Sequence, residues 1–122
     1  MEAPLEAAVR PSDLAHELVD VLVDRQASDV VLLDLTQLSA FADYFVIATA
    51  DNVRQARALI DTLAAAVKAR GGRLESEGDA ESGWVLADAG EGVIVHLFSL
   101  ESRARYNLEG LWSRAQEVVR IQ

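Results

Sequence analysis

A chain of 122 residues, 51% of them apolar, carries enough side-chain volume for one buried core and too little for two, so a single domain is expected. Eleven basic against twenty acidic residues give a formal net charge of −9; a phosphate backbone repels such a surface, which argues against direct, sequence-specific nucleic-acid binding and suits a basic protein partner. The absence of cysteine excludes disulfides, thiolate metal ligands and a cysteine nucleophile and fits a cytoplasmic setting. The acidic start Met1-Glu2-Ala3-Pro4-Leu5-Glu6 lacks the basic region of a signal peptide, and no apolar run approaches the ~18 residues of a membrane span, so no membrane partner is expected.

Residues 1–11 hold both prolines and no periodicity and read as a flexible tail. Ser12 then reads as an N-cap, and Leu14, Leu18, Val21 and Leu22 form the apolar stripe of a first helix, with His16 facing solvent. The run Val30-Val31-Leu32-Leu33, with an acid at each end, predicts a strand buried on both faces and parallel to a neighbour. Asp43 to Thr49, rich in aromatic and β-branched residues, predicts a second strand. Asp51 or Asn52 caps the longest helix, whose stripe is Val53, Ala56, Ile60, Leu63 and Val67 and which Gly71-Gly72 ends.

Arg73 to Glu77 has one large apolar residue and predicts a short polar edge strand. After the acidic loop 78–83, Trp84 to Asp88 and Val93 to Phe98 predict a hairpin around Ala89-Gly90-Glu91-Gly92. Its second strand is apolar on both faces except at His96 and is therefore central in the sheet. Glu101 and Arg105 support a short helix at a spacing of four. Residues 113–122 read as a C-terminal tail that extends as a helix carrying Ala115 and Val118 or Val119. The order α-β-β-α-β-β-β-α predicts an α/β domain over 12–112, a mixed sheet of about five strands flanked by helices.

Little in the chain resembles catalytic or cofactor machinery. Gly90-Glu91-Gly92 lies between two strands, whereas a phosphate cradle opens a helix. The two histidines have no metal-ligand spacing. Asp34, Asp43 and Asp88 at strand ends would suit Mg²⁺, but no basic cluster or glycine-rich turn accompanies them to receive phosphates. Two classes stay open at this point: an interaction domain built on the aromatic-rich stretch from Gly83 to Trp112, and a small nucleotide-handling enzyme.

Asp43-Tyr44-Phe45-Val46-Ile47-Ala48-Thr49, Trp84-Val85-Leu86-Ala87-Asp88, Val93-Ile94-Val95-His96 and Arg103-Ala104-Arg105-Tyr106-Asn107-Leu108-Glu109-Gly110-Leu111-Trp112 together resemble the ribosomal silencing factor family, also called Iojap-like, in order and nearly in spacing. The resemblance implies a nucleotidyltransferase-like architecture that is not an enzyme and needs no cofactor or metal. It implies a translation repressor that binds the large ribosomal subunit through ribosomal protein fourteen of that subunit. Its bulk then blocks joining of the small subunit when nutrients are short.

Members of the family can self-associate, which adds a homodimer of the free protein to the expectations. The family pattern matches at Asp43, Trp84, Asp88, His96, Arg103, Tyr106, Leu108, Glu109, Leu111 and Trp112. Of these, the resemblance assigns Trp84, His96, Arg103, Tyr106, Leu108, Leu111 and Trp112 to partner binding. Leu111 and Trp112 are adjacent and point about 100° apart on a helical turn, so one packs on the sheet while the other, with Tyr106 and Leu108, faces the partner. The family usually has glycine after the Thr49 position and Asp-x-Gly-Asp in the hairpin. Here Ala50-Asp51-Asn52 and Asp88-Ala89-Gly90-Glu91 followed by an extra Gly92 stand instead.

Overall fold

The computed structural model describes residues 10–39 and 41–122, so most of the tail expected at 1–11 lies outside the described residues. Helix α1 spans Pro11–Asp24. Proline opens it because its fixed φ suits the first turn and its missing N–H would be unpaired there anyway. The N-cap is Arg10, not Ser12, and makes no side-chain capping bond. The helix buries Leu14, Ala15, Leu18, Val19 and Leu22. It stops in a left-handed turn at Gln26 (φ 68°), where the N–H groups of Gln26 and Ala27 return to the carbonyls of Val23 and Leu22. That geometry satisfies the last carbonyls without a glycine.

Strands β1 (Ser28–Asp34) and β2 (Tyr44–Thr49) follow, then α2 (Val53–Ala69). Asn52 caps α2 by accepting the Gln55 N–H, and Gln55 Oε1 reaches back to the Asp51 N–H at 2.6 Å, a variant of the reciprocal capping box. Gly71, at φ 88°, ends it: Gly71 and Gly72 donate to Lys68 and Val67, the arrangement that the paired glycines predict. The polar β3 (Glu75–Glu77), a 3₁₀ turn at Ala80–Ser82, β4 (Trp84–Asp88) and β5 (Val93–Phe98) come next. Two short helices, α3 (Leu100–Tyr106) and α4 (Leu108–Leu111), precede β6 (Gln116–Ile121).

The six strands form one mixed sheet in the order β3-β4-β5-β2-β1-β6. Only β2 and β5 are parallel, joined across the connection that contains α2, and all other neighbours are antiparallel. β5 is central and β3 is an edge, as its composition predicts. Two expectations are corrected. β1 is antiparallel to both neighbours; its burial on both faces comes from the layers above and below, not from strand direction. Residues 113–122 do not extend as a helix: β6 pairs with β1 and makes the sheet six-stranded.

The sheet separates two apolar layers. On one face Val30, Leu32, Val46, Ala48, Val85, Ala87, Val93, Val95 and Leu97 pack against α1 and α2. On the other, Val31, Leu33, Phe45, Ile47 and Phe98 meet Leu35, Ala42 and Leu108. The first face has 14- and 17-residue helices as cover. The second has helices of 7 and 4 residues, which leave part of it open.

The β4–β5 turn closes through Ala89 N–H to the Val93 carbonyl and Val93 N–H to the Gly90 carbonyl, while Asp88 Oδ1 accepts the Gly90 N–H. Gly92 sits at φ 78°, and its carbonyl accepts the N–H groups of both Asp43 and Tyr44, fixing the start of β2. A methyl group at Gly92 would stand 2.6 Å from Asp43 Oδ2, whereas one at Gly90 would meet nothing within 4 Å. Gly90→Ala should therefore cost only the strain of a left-handed residue, about 1 kcal/mol, and Gly92→Ala roughly 2–3 kcal/mol. Equal denaturation midpoints for the two variants would contradict this account of the turn.

Candidate functional site

Strand alternation sends Trp84 and Leu86 on β4, Ile94, His96 and Phe98 on β5, and Phe45 and Ile47 on β2 to the less covered face. Cross-strand register adds Glu75 and Glu77 on β3, opposite Asp88 and Leu86, so exposed acids border the apolar residues at that edge. Seven rings link into a continuous cluster there. Phe41 lies 6.1 Å from Trp112, and Trp112 meets Phe45 edge-on at 5.6 Å. Phe45 meets His96 edge-on at 4.5 Å. Trp84 then stacks on Phe98 at 5.1 Å and leans on Tyr106 at 4.8 Å. Such contacts add roughly 0.5–1.5 kcal/mol each beyond area burial.

His96 is the polar member of this cluster. Its side chain is enclosed, with 3% of the residue exposed, and Nδ1 accepts the Trp84 indole N–H at 3.2 Å. An accepting Nδ1 places the proton of the neutral ring on Nε2, and Nε2 has no hydrogen-bond partner among the described residues. A buried donor left so costs about 1–3 kcal/mol, more than one neutral hydrogen bond returns. Burial pushes the pKa of His96 down from 6.5 to about 4, because the imidazolium would lose its hydration.

Arg103 organises the flank of the site. It is 8% exposed and spends its guanidinium on three elements. Nε and Nη2 form a fork on Glu109 at 3.0 and 3.1 Å, and Nη1 donates to the Asp29 carbonyl at 2.6 Å and Thr49 Oγ1 at 2.9 Å. Arg120 on β6 completes the network, donating to Asp29 Oδ1 at 2.6 Å, Glu109 Oε2 at 2.8 Å and Glu117 Oε1 at 3.2 Å. The Arg103 hydrogen bonds lead in holding the Glu109 pKa below the usual carboxylate range, against an opposing push from burial. Asn107, at φ 47°, ends α3 and caps α4 by accepting the Gly110 N–H, which turns Glu109 back toward Arg103.

These positions sort the seven expected contact residues. Tyr106 is 44% exposed and Leu111 is 77% exposed, while Trp84 and Trp112 are half-buried against the second layer. His96, Arg103 and Leu108, also among the expected contact residues, are buried beneath this face. Leu108 fills the core because the αL turn at Asn107 aims α4 at the sheet. Of the adjacent pair, Trp112 packs inward and Leu111 outward. The structure also brings in residues that sequence reasoning missed: Phe41, 66% exposed, and Leu38, 37% exposed. Both sit in the link between β1 and β2, where only their apolar character within a polar segment signalled them.

The three strand-end aspartates do not converge. Asp34 accepts from Thr36, Asp88 serves the hairpin turn, Asp43 stands beside Gly92, and no group of three or more candidate metal ligands occurs among the described residues. None of the described helices is long and apolar enough to cross a membrane.

Fold and site together define a small α/β protein whose most developed surface is an open aromatic face bordered by acids. The chain belongs to the family described as ribosomal silencing factor during starvation, whose model matches residues 8–122. It is 40% identical to a protein from Zymomonas mobilis named ribosomal silencing factor RsfS, covering 88% of this chain and 80% of that one. It is 35% identical to a protein of the same name from Halalkalibacterium halodurans, covering 87% and 91%. A crystal structure of a protein from Chromobacterium violaceum is similar with a TM-score of 0.80 at 30% identity, over 86% of this chain and 88% of that chain.

Two predictions follow from the buried polar groups. Arg103→Lys keeps the charge but cannot form the two-pronged contact with Glu109 while also reaching Thr49 and Asp29. Charge-assisted bonds are worth about 1.5–3 kcal/mol each, so the variant should lose roughly 2–3 kcal/mol in denaturant unfolding; a wild-type midpoint would refute the network's importance. For His96, the unfolded chain binds a proton near pH 6.5 that the folded protein refuses until about pH 4. The stability from keeping it neutral is complete above pH 6.5 and falls by about 3 kcal/mol as pH drops to 4. His96→Leu should flatten the melting temperature between pH 6.5 and 5, above the range where Glu109 titrates. A slope as steep as wild type's would contradict this.

Proposed function

We propose that this chain is a ribosomal silencing factor that binds the large ribosomal subunit through ribosomal protein fourteen of that subunit and blocks joining of the small subunit by its bulk, repressing translation in the cytoplasm under nutrient limitation. The observation that carries the reading is the open face, where Trp84, Tyr106, Leu111 and Phe41 present apolar surface and Glu75, Glu77 and Asp88 charge its β3–β4 edge. Aromatic anchors in a partly desolvated setting are the side chains that dominate protein interfaces. The acidic border and the net charge of −9 suit a basic ribosomal protein, since complementary charge steers encounter and rejects like-charged competitors. Family membership supplies the ribosomal context.

The competing reading as a nucleotide-handling enzyme has no converging carboxylates among the described residues to support it; Mg²⁺-dependent nucleotide binding in calorimetry would favour it. Self-association over the same face is a second reading favoured by the exposure of Phe41 and Leu111, and sedimentation equilibrium over a concentration series measures it.

The purified protein should co-sediment with large and not small subunits and should lower the yield of joined ribosomes. Tyr106→Ala and Phe41→Ala should each weaken large-subunit binding by roughly 1–3 kcal/mol while melting within a few degrees of wild type. Unchanged subunit joining at saturating protein refutes the steric mechanism. Full binding by both variants refutes the assignment of this face.

A further inference from the structure

The Trp84 side chain has one polar atom, the indole nitrogen, and turns it away from solvent onto His96 Nδ1. Its other close neighbours are the rings of Phe98 and Tyr106. Aromatic packing is directional only in a broad sense and tolerates rotation of the indole about its side-chain bonds, whereas an N–H to nitrogen bond fixes which edge points inward. His96 itself lies between Leu86 on β4 and Ile47 on β2 in register. An apolar side chain there would leave no unpartnered Nε2. As filler the histidine is a poor choice; as an acceptor for the indole it has a purpose.

We propose that His96 is a positioning residue for the docking face: its Nδ1 locks the Trp84 indole with the N–H inward, so that the ring offers only carbon to a docking protein, and it acts on the partner through that ring alone. The proposal rests on the reading of this face as the subunit-binding surface. It adds a specificity rule, that the partner surface meeting Trp84 is an aliphatic or aromatic side chain, because a polar group pressed there would lose its hydration without gaining a hydrogen bond.

The test uses the full chain in four forms, His96→Leu, His96→Asn, Trp84→Phe and the His96→Leu/Trp84→Phe double variant, with large-subunit affinity, melting temperature and nitrogen-edited NMR as readouts. In the wild type the Trp84 indole N–H should be protected from exchange and His96 should carry its proton on Nε2. His96→Leu should melt at or above the wild type at neutral pH yet bind subunits roughly tenfold more weakly, a loss the size of one misplaced anchor contact. His96→Asn, whose Oδ1 takes the place of Nδ1, should retain affinity within about threefold. Trp84→Phe should lose about as much as His96→Leu, and the double variant no more than either, since both remove the same bond.

Additive losses in the double variant, wild-type affinity in His96→Leu, or a proton on Nδ1 would each overturn the proposal. So would binding that falls in His96→Leu only in step with its melting temperature, the signature of a merely structural role. A wild type that binds no subunits overturns it from the other side, through the functional reading on which it rests. That outcome is recognised by an intact indole signature in the absence of binding.

Discussion

The buried guanidinium of Arg103 is the constraint on which the second face of the sheet depends. Helices of 7 and 4 residues have no stability of their own, because nucleation consumes what so few backbone bonds return. They stay in place because Arg103 on α3 grips Glu109 on α4 and, through Asp29 and Thr49, the strands beneath. A buried ion pair is rarely a net source of stability over an apolar substitute. Its contribution here is geometric: one planar fork sets two helices and two strands relative to each other, a task for which lysine has the charge but not the shape. Arg120 extends the same constraint to β6, so the C-terminal strand is tied to the site through side chains as well as through the ladder with β1.

From this follows the asymmetry of the sheet. One face carries a closed, conventional core under α1 and α2. The other is closed only where α3, α4 and Trp112 reach, around Phe98, Ile47, Leu108 and Phe45. The remainder, from Trp84 toward Phe41, keeps large side chains partly in water. Exposing apolar surface forgoes the stabilisation of burying it, roughly 25 cal/mol for each Å². A face of this kind is what an interaction protein uses to hold a partner.

Much of the scaffold was legible in the sequence because its signals are local. Asn52 and Gly71-Gly72 bracket α2, Gly90 and Gly92 mark the hairpin, and the polar run at Glu75 announces an edge. β6 was not legible: its side chains are mostly exposed, so no hydrophobic period betrays it, and it exists because β1 offers backbone bonds. The end of α1 was equally silent, since Gln26 takes the left-handed turn that glycine usually advertises. The site was half legible. A family pattern marks His96, Arg103 and Leu108 as strongly as Trp84 and Tyr106, but matching residues do not show which side chains are enclosed and which reach the surface. Burial is decided by elements far apart in the chain, as Asp29 and Arg120 are from Arg103.

The borders of the sheet explain how such a face remains usable. Open sheets with apolar faces invite strand addition at their edges. Here β3 is three residues long and reads Glu75-Ser76-Glu77, too short and too charged to recruit another strand. At the opposite edge, the register between β1 and β6 slips between Leu32 and Leu33, leaving Val118 as the extra residue, and bulges of this kind twist an edge away from flat pairing. The Glu75 and Glu77 carboxylates charge the β3 edge, and register turns them to the face that bears Trp84. On the proposed reading of that face, the acids that discourage strand addition also favour a basic partner, so that protection of the edge and selection at the face become one electrostatic feature and substitutions that neutralise it alter both together.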